Sequence, residues 1–265
     1  MDLFVLGGKS RLTGVVGLHT IPAFAPCERI PQELMPDRQR SLTIALQDGT
    51  SVSGVLDTPA KPKACYVFAH GAGAGMHHAF MEAMAAGLAE RGIATLRFQF
   101  SFMEQGSKRP DAPAVAHAAV RAAVAATAQQ LPDLPRFAGG KSYGGRMTSQ
   151  AQAAAPLPGV RGLVFVGFPL HPAGKPAIER AKHLAAVRVA MLFLQGTRDT
   201  LAELDLIRAT TAELGELATL HVVDGADHAF HVLVRSGRTD AQVRDELLDA
   251  MAEWMTRTQE SAPGA

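Results

Sequence analysis

The first clear rhythm in the chain begins at residue 41. SLTIALQ (41–47) alternates apolar and polar positions, Asp48-Gly49 interrupts, and SVSGVLD (51–57) alternates again. Alternation gives a strand one face for a core and one for water, and Asp-Gly suits a tight hairpin turn, so this stretch predicts an antiparallel pair. Beyond it the pattern changes. ACYVFA (64–69), IATLRF (93–98), RGLVFV (161–166), VAMLFL (189–194) and ATLHVV (218–223) are short, continuous apolar runs, and RFAGG (136–140) is a weaker one. Runs without a polar face predict strands of a parallel sheet covered on both sides.

Helical spacing fills the gaps between these runs. Phe80, Met84 and Leu88 share a face, and Gly92 stops that helix. Residues 113–130 are rich in Ala and Val, with Pro113 at the start and Pro132 just past the end. Residues 143–154 and about 176–186 predict shorter helices. Leu204, Ile207, Thr211 and Leu214 form a stripe that ends at Gly215, and Val243, Leu247, Met251 and Trp254 form the last one. Strand and helix alternate, which predicts a three-layer α/β sandwich. Its sheet is mostly parallel, with the N-terminal hairpin as an antiparallel edge. No repeat, low-complexity run or linker divides the pattern, and no insertion is long enough for a large cap domain.

Residues 1–40 differ from the rest. They scatter Gly, Pro and charge without sustained periodicity, which predicts a loose extension ahead of a domain at 41–258, with 259–265 as a tail. Met35, close before the first strand, is an alternative start.

Composition narrows the function classes. At 265 residues and 47% hydrophobic, the chain can bury a substantial core. A net charge of +1 gives no reason to expect nucleic acid or an anionic membrane as partner. The two cysteines, Cys27 and Cys65, match no metal or redox spacing, so no disulfide framework is expected and a reducing cytoplasm is the expected compartment. No apolar run approaches the ~18 residues of a membrane helix, and the start lacks the pattern of a signal peptide. His77 and His78 have no carboxylate partners at metal-ligand spacing.

The stretch AGGKSYGGR (138–146) carries two competing signals. Gly140-Lys141-Ser142 could end a phosphate loop, but the first glycine of G-x-x-x-x-G-K-[ST] would fall at residue 135, which is proline. Proline removes a backbone donor that such a loop needs. Gly140-Lys141-Ser142-Tyr143-Gly144 is also G-x-S-x-G, a strand-to-helix elbow that presents a serine nucleophile. An apolar run precedes it and a helix-forming stretch follows, as that reading requires.

A serine hydroxyl needs a base within hydrogen-bond reach, and the base needs an orienting carboxylate. Asp199 follows VAMLFL and His228 follows ATLHVV, so the order Ser142, Asp199, His228 puts all three on loops at one edge of the sheet. Asp199 could instead cap a helix beginning near Leu201. Asp205, Asp224 and Asp227 are rival acids, and Asp227 adjoins His228, where sequence neighbours rarely point together. His231 is the rival base, set deeper in the apolar stretch HAFHVLV. The oxyanion donors would be the backbone N–H of Tyr143 and one from His70-Gly71-Ala72-Gly73-Ala74-Gly75, with Ala72 ahead of Gly73. The spacing of that run does not fit a dinucleotide fingerprint. His70 is read as bracing the glycine loop, and it counts among the possible substrate contacts. Lys141 is read as structural.

AHGAGAGM, GGKSYGGRM, VGFPLHPAGKP, LQGTRD and DGADHAF together resemble the α/β-hydrolase superfamily. They are most similar to its small dienelactone-hydrolase-like branch, which includes bacterial hydrolases, a testis-expressed protein and a subunit of the non-specific-lethal chromatin complex. The resemblance covers about residues 41–257. It implies an eight-stranded sheet, Ser142 as nucleophile, and Asp199 and His228 as acid and base. Where Tyr143 stands, the branch often has methionine; only the backbone N–H is used there, so the pocket's shape changes and the mechanism does not. FPLHPAGKP would line the site after the sixth strand, with His171 and Lys175 as substrate contacts, and the loop from Phe98 to Pro113 would form another wall.

The expected function is a cytoplasmic serine hydrolase without cofactor or metal. It would act on a small acyl substrate through an acyl-enzyme in an open, shallow pocket. The alternatives are a non-catalytic hydrolase-fold scaffold that binds a protein, as relatives in the chromatin complex act in assembly, and an acyltransferase on the same site. Neither the substrate's identity nor the oligomeric state is legible in the sequence.

Overall fold

The structure is a computed structural model that describes residues 39–260. Met35 and most of the expected extension lie outside the described residues, as does the tail from residue 261.

The apolar runs become strands where the pattern puts them. In chain order they are β1 (Gln39–Ala45), β2 (Ser51–Asp57), β3 (Ala64–Ala69), β4 (Ile93–Phe98), β5 (Arg136–Lys141), β6 (Val160–Val166), β7 (Ala190–Gly196) and β8 (Ala218–Val223). They form one eight-stranded sheet in the order β1-β2-β4-β3-β5-β6-β7-β8. The hairpin β1–β2 is antiparallel and joins β4 antiparallel; every later pairing is parallel. The core strands bury alternate residues in different layers. On β3, Val67 and Ala69 face one side while Tyr66 and Phe68 face the other, and Leu163 and Phe165 of β6 oppose Val164 and Val166 in the same way.

Among the described residues six α-helices complete the layers: α1 (Ala79–Glu90), α2 (Ser101–Glu104), α3 (Pro113–Gln130), α4 (Tyr143–Ala154), α5 (Leu204–Glu213) and α6 (Asp240–Glu260). The first layer packs Ala116 and Val120 of α3, Met147 and Ala151 of α4, and Ile207 of α5 onto the sheet. The second packs Met84 and Leu88 of α1 with Leu247, Met251 and Trp254 of α6. Each large apolar side chain so buried contributes about 1.5–3 kcal/mol.

Two helical expectations need correction. Residues 179–186 form a 3₁₀ helix, Glu179–Ala186, whose start at Ile178 has no side-chain cap. The loop from Phe98 contains α2, a single turn too short to show periodicity in the sequence. Among the described residues no helix is long and apolar enough to cross a membrane.

Candidate active site

The site forms at the C-terminal ends of the parallel strands, beginning at the turn from β5 into α4. Ser142 occupies that turn with φ 50° and ψ −111°, a conformation that a non-glycine residue adopts only under constraint. The constraint is backbone crowding. A Cβ added at Gly140 or at Gly144 would each lie 2.4 Å from the Ala69 carbonyl oxygen, so neither position admits a side chain. Ser142 N–H donates to Val166 O at 3.1 Å, which fixes the turn against β6.

The base loop follows β8. The Asp227 carboxylate accepts from Ala229 N (2.8 Å) and His231 N (3.0 Å), and Asp227 N donates to His231 O at 3.0 Å. Asp227 therefore closes the loop and turns away from the adjacent imidazole, as sequence neighbours tend to do. The loop holds the His228 ring with Nε2 2.8 Å from Ser142 Oγ and Nδ1 2.7 Å from Asp199 Oδ2. The Asp199 side chain is fully buried and that of His228 is 24% exposed.

Asp199 sits just past β7, in a segment zipped to the base loop by Thr197 N to Val223 O (3.0 Å) and Arg198 N to Ala226 O (2.8 Å). Its Oδ1 accepts from Leu201 N at 2.8 Å, so the capping reading was correct as a local bond, although no helix begins there and α5 starts at Leu204. Its Oδ2 accepts from Gln195 Nε2. The amide is oriented by its other end, since Gln195 Oε1 accepts from Phe168 N at 3.0 Å. A buried carboxylate that receives donors leaves one assignment for the imidazole. Nδ1 carries the proton toward Asp199, and Nε2 is free to accept from the serine hydroxyl.

Lys141, next to Ser142, ties nucleophile and base together. Its ammonium donates to the His228 carbonyl and lies over the Phe230 ring, 5.4 Å from the centroid. Burial lowers its pKa to about 8, against the raising effect of Asp199 and Asp227. The structural reading of Lys141 thus acquires a particular content. Phe230 takes φ 65° in the same loop.

The glycine loop after β3 runs beside the serine, and a Cβ added at Gly71 would lie 4.0 Å from Ser142 Cβ. Arg97, buried against Asp57 at 3.1 Å, donates to Met76 O at 2.8 Å and anchors the far end of this loop. His70 braces the near end. Its Nε2 accepts from Phe100 N at 3.0 Å, which leaves Nδ1–H to donate to Gly71 O at 2.8 Å. The ring is fully buried, and burial lowers its pKa to about 4. The expectation that His70 touches substrate is therefore corrected: both ring nitrogens are engaged inside the protein.

A cavity of about 370 Å³ opens at Ser142, and its walls include Ala72, Asp111, Tyr143, Arg146 and Arg180. Ala72 and Tyr143, the expected oxyanion donors, thus flank the serine; Gly73 is exposed and is not part of the wall. Pro110, Asp111 and Pro113 supply the wall expected from the loop after Phe98. The expected contacts from the loop after β6 do not line this cavity. His171 is buried, with Nδ1 2.9 Å from Pro172 O, and Lys175 is exposed; Pro169 lines the cavity in their place. His231 also departs from its reading as an interior residue. It lies on the surface and pairs with Asp240 at 2.9 Å. The rival acids take other roles, with Asp224 accepting from Thr197 Oγ1 at 3.3 Å and Asp205 facing Arg208 at 3.8 Å. Sequence reasoning missed Gln195, Arg146 and Arg180, and no spacing rule marks them. Among the described residues no group of three or more His, Cys, Asp or Glu could hold a metal ion.

Comparison with known proteins agrees with this architecture. Solved structures with the same fold include the dienelactone hydrolase from Anabaena variabilis, 18% identical with a TM-score of 0.66, covering 83% of this chain and 97% of that one. A lidless α/β serine hydrolase from Xanthomonas campestris is 22% identical with a TM-score of 0.65, over 83% of this chain and 97% of that one. An α/β serine hydrolase homologue from Coxiella burnetii is 20% identical with a TM-score of 0.63, over 79% and 95%. Residues 62–256 match the family described as alpha/beta hydrolase domain, a span that runs from just before β3 through most of α6, and the chain belongs to that family.

Proposed function

We propose that the protein is a serine hydrolase that cleaves an ester or related acyl compound. Ser142 Oγ attacks the acyl carbon while its proton passes to His228 Nε2. The N–H groups of Tyr143 and Ala72 receive the developing oxyanion, each worth about 3 kcal/mol in the transition state. The acyl–oxygen bond to the leaving group then breaks, and His228 returns the proton to the departing alcohol. Water repeats the sequence on the acyl-enzyme: its proton goes to His228, its oxygen to the acyl carbon, and the proton comes back to Ser142 as the acid leaves. Asp199 orients the ring and stabilises the imidazolium throughout.

One observation carries this reading: the unbroken hydrogen-bond chain from Ser142 Oγ through both nitrogens of His228 to Asp199, at 2.8 and 2.7 Å. A fluorophosphonate probe tests it. Labelling of the wild type and its loss in Ser142→Ala is the expected result. Failure of the folded wild-type protein to label would leave a hydrolase fold without the chemistry.

A further inference from the structure

We propose that the cavity beside Ser142 receives an acyl chain that carries a carboxylate at its far end. The proposal rests on the hydrolase reading and adds a substrate class to it.

The cavity wall is unusual in charge. Arg146, one turn into α4, and Arg180, in the 3₁₀ helix, line the same space as Ser142. Among the described residues neither guanidinium makes a hydrogen bond or an ion pair. Arg146 Nε is buried without a partner, and the nearest compensation for that side chain is the Tyr143 ring, 5.9 Å from Cζ. Arg146 is half-buried, and a guanidinium nitrogen shut off from water is costly unless an acceptor meets it. Here burial and then the neighbouring Arg180 charge hold the Arg146 guanidinium below its usual range. His183, bonded to Ser149 Oγ at 2.7 Å, stays neutral near pH 7 because burial lowers its pKa to about 4, with Arg146 and His117 acting in the same direction. Two like charges are thus held close at a cavity that contains the nucleophile, and an anion would relieve both.

The charge count selects the kind of anion. Asp111 is the carboxylate on this wall; its Oδ2 accepts from Phe102 N at 3.0 Å, and its carbonyl accepts from the Tyr143 hydroxyl at 3.4 Å. Two guanidiniums against one carboxylate leave a single net positive charge. A monoanion matches that balance, and the planar fork of arginine fits a carboxylate.

Geometry assigns the anion to the acyl side. The leaving group must lie near His228 Nε2, which gives it a proton. His228 is not part of the cavity wall, whereas Ser142 and the candidate oxyanion residues are. The leaving group therefore points away from the cavity, and the acyl chain occupies it.

The test compares kcat/KM for p-nitrophenyl monoglutarate with that for p-nitrophenyl pentanoate, two chains of equal length that differ in terminal charge. The wild type should prefer the anionic ester by about tenfold or more, the scale of one charge-assisted hydrogen bond, and Arg146→Gln and Arg180→Gln should each collapse that ratio. Equal or reversed preference in a protein whose Ser142 labels with fluorophosphonate would overturn the subsite and leave the hydrolase standing. A second measurement is independent of turnover: calorimetric binding of monomethyl glutarate and methyl pentanoate to Ser142→Ala. Binding of the anion alone, lost in Ser142→Ala/Arg180→Gln, supports the subsite even if no ester is cleaved. Equal or absent binding of the two ligands overturns it.

Discussion

Asp199→Asn removes one charge and almost no volume, and the consequences follow from the three donors that converge on this carboxylate. Oδ1 receives Leu201 N at 2.8 Å; Oδ2 receives Gln195 Nε2 and faces His228 Nδ1 at 2.7 Å. An amide offers one oxygen and one NH₂, so it cannot serve all three. With its nitrogen toward His228, the amide meets the Gln195 NH₂, which cannot turn over without abandoning Phe168 N. The imidazole would then accept at Nδ1 and carry its proton on Nε2, facing Ser142, where it is no longer a base. With the nitrogen toward Leu201 instead, the geometry at His228 survives but the N–H of Leu201 is orphaned and the imidazolium loses its counter-charge. Either orientation costs about 1–3 kcal/mol of stability for an unmet buried polar group. The first arrangement costs about 10³–10⁴ in kcat, or about 4–5.5 kcal/mol of barrier. Urea denaturation reads the stability, and p-nitrophenyl acetate hydrolysis with fluorophosphonate labelling reads the rate. A folded Asn variant within tenfold of wild-type kcat would refute the role assigned to Asp199.

Two further outcomes follow from the same geometry. Gly144→Ala puts a methyl 2.4 Å from Ala69 O and 2.6 Å from His70 O, so it should cost about 1–3 kcal/mol and abolish probe labelling. At Gly73 an added Cβ meets nothing within 4 Å, so Gly73→Ala should leave the urea midpoint unchanged; equal midpoints for the two variants would remove the argument from crowding. Acid should destabilise the protein through His70, whose pKa falls from 6.5 to about 4 on folding. Below pH 6.5 the unfolded chain takes up a proton that the folded one refuses, so stability present above that pH is lost as pH falls toward 4, by up to about 3 kcal/mol. His70→Gln, which keeps an acceptor for Phe100 N, should show a flatter fall of urea midpoint between pH 7 and 4.5; parallel curves would exclude this histidine as the source.

The strands were legible because each side of the sheet is covered, so that ACYVFA and VAMLFL had to be apolar throughout. The elbow was legible because crowding at Ala69 O permits only glycine at 140 and 144, and glycine shows in a sequence. Residues brought in by packing were not. Gln195 bridges Phe168 and Asp199, yet inside a strand it looks like a single polar interruption. Arg146 and Arg180 meet through the docking of a 3₁₀ helix onto α4, which no local spacing encodes. His231 misled because its apolar neighbours suggest an interior, while the turn closed by Asp227, with Phe230 at positive φ, sends Phe230 inward and His231 out to Asp240. His171 and Lys175 show a related limit: a segment can border the site while only its apolar Pro169 lines the cavity.

The order of the strands also governs when the reactive centre can exist. Ser142 directly follows β5 in the middle of the sheet, while His228 follows β8, the edge strand and the last strand to be synthesised. A growing chain could complete seven strands with its serine hydroxyl still inert, because the imidazole that the proposed mechanism uses as base has not left the ribosome. On the proposed mechanism reactivity waits for the segment beyond β8, and a chain cut short before residue 228 would lack both that imidazole and α6, whose Leu247, Met251 and Trp254 complete the second layer.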